Sequence, residues 1–559
     1  MKEFAVSHTT NAAIIFDERH FLEALSRWNY FPNQKASASE LPPNICTRRF
    51  TPEVVQKLHE EVKPSRERRR LGFDLAEYRA TRYNNVSRIL GLIHPLAFAH
   101  IFVVFESNRA AIRVAMDDPN SAISVEAHTD GRMLIMNYED HQTKALTDTE
   151  KSFGKKFRAH TDVANCFGSV YTHSLEWAIQ GFEAAKASKA SKSASAPTHW
   201  SSDLDRVLRW AKRNETSGLP IGPAFSSIAV EIILAAVDRE LRKQFSFVRY
   251  VDDYTALCDS HDEAQEFIRL LGTELSRYRL TLNLAKTSIV ELPEPLQEKW
   301  VSELMSAAPA LIRDAGQPAW IDTADAFQFL DLALRLNNET PDGSVIKFAV
   351  AVISARLKDK AAADVFQYVL NLAWHYPILL PYLEKIDGRA GYYDAPALVE
   401  KLNKIISINA LHRRSDGICW ALYYLERLGA NPSEKSVSEI ILSKDCVAIA
   451  MLCNFEDVVG QTIEFSKELT DASLYVKDQH WLLLYQLYRM GRIENPYPDE
   501  ATFELLKKYD VDFFCPANEM SHAENFCFQI SNPFAELEKI ETFDRWIQSS
   551  VPDHAHVNV

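Results

Sequence analysis

The stretch Arg249-Tyr250-Val251-Asp252-Asp253-Tyr254 sets two adjacent carboxylates inside a run of aromatic and β-branched residues. The run reads as a strand, yet paired acids suit a strand interior badly, because like charges repel and desolvation is expensive. A hairpin turn that presents both acids to a cation removes the conflict. An ordinary Asp-Asp turn is the plain alternative for an isolated pair. The flanks favour the hairpin: residues 245–257 read strand–turn–strand, between an apolar helix at 224–241 and an amphipathic helix at 264–278.

The pair is not isolated. Upstream, Phe157-Arg158-Ala159-His160-Thr161-Asp162-Val163 is an extended run with an aspartate near its end, and Phe167 follows five residues later. Residues 218–227, from Gly218-Leu219-Pro220-Ile221-Gly222-Pro223 onward, form a glycine-bounded turn entering a helix. Beyond the pair, a short strand pair around 280–291 carries Asn283-Leu284-Ala285-Lys286-Thr287.

In order and spacing these segments resemble the palm of reverse transcriptases, with Asp162, residues 218–226, residues 250–253 and residues 283–287 as successive motifs. Arg88-Ile89-Leu90 resembles the fingers motif whose arginine approaches the incoming triphosphate. The resemblance covers about residues 45–295. It implies an α+β fingers-palm domain and nucleotidyl transfer assisted by two Mg²⁺ (or Mn²⁺) ions about 3.5–4 Å apart, which prefer hard carboxylate oxygens. It further implies Asp162, Asp252 and Asp253 as catalytic, metal-binding carboxylates, with Val163 beside them at the metal site. Arg88, Phe167, Gly222 and Lys286 become nucleotide-binding positions. Phe167 would exclude a 2′-hydroxyl, and Gly222 would let backbone approach the template–nucleotide pair. Ile221 departs from the retroviral pattern, which has a nucleotide-contacting glutamine there.

Residues 167–174 with Trp177-Ala178, then Gly222-Pro223, Ser226 and 231–234, look like the bacterial defence-associated reverse transcriptases, including the abortive-infection enzymes. Retron enzymes are shorter, and group II intron maturases are more basic and often carry a nuclease finger. The resemblance implies antiviral DNA synthesis from dNTPs, often protein-primed or non-templated, sometimes with a non-coding RNA and often in a homo-oligomer. Two alternatives stand beside it: a catalytically vestigial RNA-binding scaffold signalling through its helical half, and an RNA polymerase on the same palm.

The rest of the chain is consistent with an enzyme of this kind. Its 559 residues are too many for one core. The expected division is a helical extension at 1–45, fingers and palm at 46–295, a thumb-like connector at 296–326 and an all-α, repeat-like domain at 327–559. The composition, 47% hydrophobic and 25% charged, is that of a globular protein, and the net charge of −14 argues against a coat of nucleic acid. Residues 48–113 are nonetheless basic, although a solvated charged helix at 60–70 explains part of that run. No apolar run reaches the roughly 20 residues of a membrane span, and residues after Met1 lack a signal-peptide layout, so a cytoplasmic location is expected.

The eight cysteines are scattered, and Cys515, His522 and Cys527 fit no common zinc spacing. Extended segments are expected at 88–93 and 101–105, a helix at 169–179, and a surface loop in the Lys/Ser/Ala-rich segment 183–199. Beyond 327, helical periods recur at 345–357, 361–374, 397–408, 418–428, 480–490 and 501–509. Gly429 reads as a helix C-terminal cap, and Asn431-Pro432-Ser433 as a restart. This half is expected to be non-catalytic, to mediate self-association and to guide the product.

Overall fold

The structure, a computed structural model, describes residues 18–32, 40–82, 86–124, 135–136, 148–190, 199–312, 319–341, 344–357, 359–390 and 395–514. Its centre is an antiparallel four-stranded sheet in the order β6-β7-β5-β8, built from β5 (Phe157–Asp162), β6 (Phe247–Tyr250), β7 (Asp253–Cys258) and β8 (Ser288–Glu291). The His261–Arg277 helix packs on β5 and β7, and the buried Ala224–Leu241 helix packs beside it. Ser260 caps the former by accepting from Glu263 N–H, with Asp262 and Glu263 on its positive N-terminal end.

A second sheet is the hairpin β1 (Leu75–Thr81) and β2 (Ser87–Ile93), paired from Leu75↔Ile93 to Thr81↔Ser87. A parallel bridge between Leu90 and Ile221 ties it to the glycine-bounded turn. The short strands β3 (Ile123–Ser124) and β4 (Ile135–Met136) pair separately.

Helices follow one another from Thr323–Glu339 to Thr502–Lys508, with neighbours packed pairwise, such as Asp359–His375 on Leu380–Ala390 and Ala395–Leu411 on Ser415–Arg427. An α+β part built on the four-stranded sheet, joined to a large helical region, is therefore the architecture. Gly429 has φ +62°, and Ser433 caps the next helix by accepting from Ser436 N–H.

Several of these helices close over the β1–β2 hairpin. The helices Ser415–Arg427, Cys446–Met451 and Leu474–Gln479 all pack against β1. Asp416 accepts from Thr81 N–H at 2.7 Å and Thr81 Oγ1 at 2.8 Å. Trp481 Nε1 donates to Leu92 O at 3.1 Å. The residue 18–32 segment joins the same core: Tyr30 lies against Phe50, Phe98, Trp481 and Phe513.

Five local expectations need correction. Residues 101–105 are not extended: they lie in the 13-residue Pro95–Ser107 helix, started by Pro95 and by His94 accepting from Leu96 N–H. The helix is apolar on most of its surface, so its β-branched block mimicked a buried strand. Residues 60–70 are not one solvated helix but two, Pro52–Glu61 and Arg66–Leu71, and Arg68 is completely buried. The loop expected at 183–199 is helical at Phe182–Ala190, since Ala and Lys are strong helix formers; residues 191–198 lie outside the described residues. The helix expected at 169–179 is broken into Cys166–Ser169 and Ser174–Gln180, and the 280–291 strand pair is one strand, β8, after a 3₁₀ turn.

Six described cysteines are free and buried, and the Cys515, His522 and Cys527 group lies outside the described residues. Among the described residues no helix is long and apolar enough to cross a membrane.

Candidate active site

Strand pairing assembles the three aspartates. Asp162 ends β5 and Asp253 begins β7, and the two are directly opposite in register. Asp252 sits in the hairpin turn, its carbonyl accepting from Val163 N–H at 3.1 Å. Asn283 N–H donates to Asp162 O at 2.7 Å, fixing the segment that carries Lys286. Lys286 Nζ then reaches Asp162 Oδ2 at 2.7 Å. That hydrogen bond, with the surrounding acids, holds the lysine above its ordinary pKa.

The electrostatics call for positive charge. Burial, then Asp162 and Asp253, push the Asp252 carboxyl up to about 6. Asp162 is 6% exposed, and its Oδ1 is buried without a hydrogen-bond partner. An orphaned carboxylate oxygen beside two further acids is a hard-oxygen donor set, and it suits Mg²⁺ or Mn²⁺. Lys286 alone brings one charge against three.

The turn is held from behind. Val251 has φ +58°, a left-handed conformation that is an outlier for a β-branched residue. Arg249, fully buried, donates through Nη1 to Val251 O at 2.9 Å. The same guanidinium forms a two-pronged pair with Glu231 at 2.8 and 2.7 Å and donates to Asp238 at 2.5 Å. Tyr254 Oη completes the set on Asp238 at 2.8 Å. Sequence reading missed this clamp, although a signal existed: Glu231 and Asp238 stand seven apart on a mostly apolar helix, hence on one face, and buried acids require a cation.

The other expected positions lie on β2, on the Cys166–Ser169 turn and on the glycine-bounded turn bridged to β2. Phe167 lies in the Cys166–Ser169 turn, partly buried, with its carbonyl accepting from Leu219 N–H at 2.8 Å. Between β2, the Gly168 turn and residues 219–221 runs a cleft of 510 Å³ that Lys212, Arg213 and Gln479 also line. Arg88 stands at the start of β2 with Nη1 3.6 Å from Glu40 Oε1. Gly222 has φ +125°, and a Cβ there would meet Pro32 Cγ at 2.8 Å, so its smallness admits the chain's own N-terminal segment. Arg68, from the basic run, faces no solvent: it pairs with Asp478 and Glu500.

The structure thus sets a carboxylate-bearing hairpin opposite a third acid on a neighbouring antiparallel strand. The family model for reverse transcriptase (RNA-dependent DNA polymerase) matches residues 122–331, so the chain carries a reverse transcriptase domain there. No curated protein matches the chain. Solved structures similar to it include a Candida tropicalis apo telomerase truncated from its C-terminal domain, at 13% identity and TM-score 0.27, covering 44% of this chain and 56% of that one. The chain thus spans little more than half of that structure. The apo Candida tropicalis telomerase gives 11% identity, TM-score 0.26 and coverage of 74% and 71%. The Candida albicans telomerase with a TWJ fragment of telomeric RNA gives 11%, 0.26, and 77% and 69%. Scores this low carry no argument about function.

Proposed function

We propose that the protein is an active DNA polymerase of the reverse-transcriptase type, with Asp162, Asp252 and Asp253 as its catalytic carboxylates. The observation that carries this reading is the register that sets Asp253 opposite Asp162, with Asp252 in the adjoining turn raised by both charges and Asp162 Oδ1 buried without a partner. Asp162 and Asp252, with the Val163 backbone, would hold two Mg²⁺ or Mn²⁺ ions, and Asp253 would support them. When bound, such ions activate a hydroxyl nucleophile and neutralise triphosphate charge. The chain's own contribution is placement: β5 and β7 fix the acids, and the Arg249 clamp fixes the turn. Lys286 balances charge on Asp162, Phe167 bounds the sugar position, and Arg88 and Gly222 border the nucleotide side.

The substrates on this reading are dNTPs, and the partners are the nucleic-acid product and a non-coding RNA. The setting is cytoplasmic antiviral defence by an abortive-infection-like enzyme. The proposed division keeps fingers and palm at 46–295 and assigns self-association and product guidance to the helices from 327 onward.

The test is incorporation of labelled dNTPs by purified full-length protein with Mg²⁺ or Mn²⁺, with and without template. Replacing Asp252 and Asp253 by alanine is expected to abolish incorporation with the circular dichroism unchanged. Equal incorporation by that variant overturns the reading. Phage protection that survives in the same variant would separate defence from synthesis. Phe167→Ala is expected to raise rNTP use relative to dNTP use on the order of 10-fold or more, and a wild type that already prefers rNTPs removes Phe167 as the sugar gate.

A further inference from the structure

Away from the carboxylates, a second polar cluster lies where the Ser174–Gln180 and Trp200–Trp210 helices meet. His173 immediately precedes the first helix, Glu176 lies in its first turn, and Asp205 sits mid-way along the second. One donor atom from each, an imidazole nitrogen and two carboxylate oxygens, lie within 4.8 Å of one another. Glu176 and Asp205 are each only 2% exposed.

The internal geometry is not that of a plain ion pair. His173 Nδ1 is 3.0 Å from Asp205 Oδ2, close enough for a hydrogen bond. Nδ1 nevertheless has no hydrogen-bond partner, so the contact lacks the alignment an N–H donor requires. Asp205 Oδ1, also buried, has none either. Donor atoms about 3 Å apart that do not point at each other have the spacing of neighbouring ligands on one ion. Bonds of about 2.0–2.1 Å in a tetrahedron place ligands roughly 3.3 Å apart. Arg209 Nε donates to Asp205 Oδ2 at 3.1 Å, the type of outer contact that orients a ligating carboxylate.

We propose that His173, Glu176 and Asp205 form a structural site for one zinc-class divalent ion, separate from the three aspartates. The imidazole favours zinc over magnesium or calcium, and the two carboxylates balance its charge. The His173 side chain is 24% exposed, which gives water access as a fourth ligand. Such an ion joins two helices separated by only 19 residues of chain. It also steadies the preceding segment, where Tyr171 bridges Ser217 and where the Phe167 turn and the 217–222 turn meet.

The experiment loads full-length protein with Zn²⁺, desalts it into Mg²⁺ buffer, and measures bound zinc by elemental mass spectrometry. Wild type and the Asp252→Ala/Asp253→Ala variant are expected to keep about one zinc per chain, whereas His173→Ala and Asp205→Asn lose most of it. Because either single variant could misfold, Co²⁺ is also substituted into wild type. The visible absorption of a four-coordinate Co²⁺ site is expected, and excess Zn²⁺ should bleach it. Zinc-free wild type after loading, equal zinc in His173→Ala, or zinc lost with the Asp252 and Asp253 substitutions would each overturn the proposal. The first of these would leave an ion pair only.

Discussion

Val251 is the residue on which the hairpin turns, and its left-handed backbone is strained by about 1–2 kcal/mol for a side chain with a Cβ. The Arg249 hydrogen bond to its carbonyl holds that conformation in place, and Glu231 and Asp238 hold Arg249. Val251→Gly is expected to relieve the strain and raise stability by about 0.5–1 kcal/mol in denaturant unfolding, once glycine's extra unfolded-state entropy is discounted. Arg249→Ala strands two buried acids and is expected to cost about 3–5 kcal/mol in the same measurement. The carboxylates themselves were legible in the sequence because adjacent acids in an apolar run are costly unless a cation meets them. The strain was not, since a β-branched residue argues for ordinary strand backbone.

The elements taken one at a time show where periodicity works and where it stops. Amphipathic helices such as Asp359–His375 and His261–Arg277 were readable because one face meets water. Pro95–Ser107 was not, since it is buried on most sides and its apolar block has no period. The hairpin β1–β2 was half legible: β2 showed its run, but nothing local announced that Thr81 would donate to Asp416 from far along the chain. Burial pushes the Asp416 carboxyl up to about 6, against the Thr81 and Gly417 donors that lower it. With an unfolded value near 3.9, protonation favours the fold. The ionised group therefore opposes folding above about pH 6, and this is relieved as pH falls from about 6 to 4, by on the order of 2–3 kcal/mol in all. Asp416→Asn lacks that titration, so wild type is expected to gain on the variant between pH 7 and pH 5 in denaturant midpoints. Parallel pH profiles would show that Asp416 does not carry the effect.

Across the whole molecule, the helices beyond 395 and the β1–β2 hairpin share one apolar core, through Tyr30, Phe50, Trp481 and Phe513. Arg68 nails the same junction with bonds to Asp478 at 2.6 and 3.1 Å and to Glu500 at 2.8 Å, all buried. A chain ended at residue 326 is therefore expected to lose the β1–β2 hairpin as well as the helices, seen as rapid proteolysis within 40–116. Protection of that region equal to full length would show the hairpin stands alone. The sequence announced the helices but not their attachment, because a packing partner several hundred residues away leaves no local pattern.

That junction also sets a schedule for synthesis. Thr81 meets Asp416, Leu92 meets Trp481, and Arg68 meets Asp478 across separations of 335, 389 and 410 residues. The β1–β2 strands leave the ribosome early but cannot be covered until residues 415–514 have emerged, which at about 5–20 residues per second is roughly 20 seconds or more. During that wait Tyr78, buried at completion beside Cys419 and Asp416, stays open to other chains. Contacts this distant in sequence make folding slow. Translation that stalls short of residue 514 leaves the three aspartates already made but the β1–β2 hairpin without its covering helices.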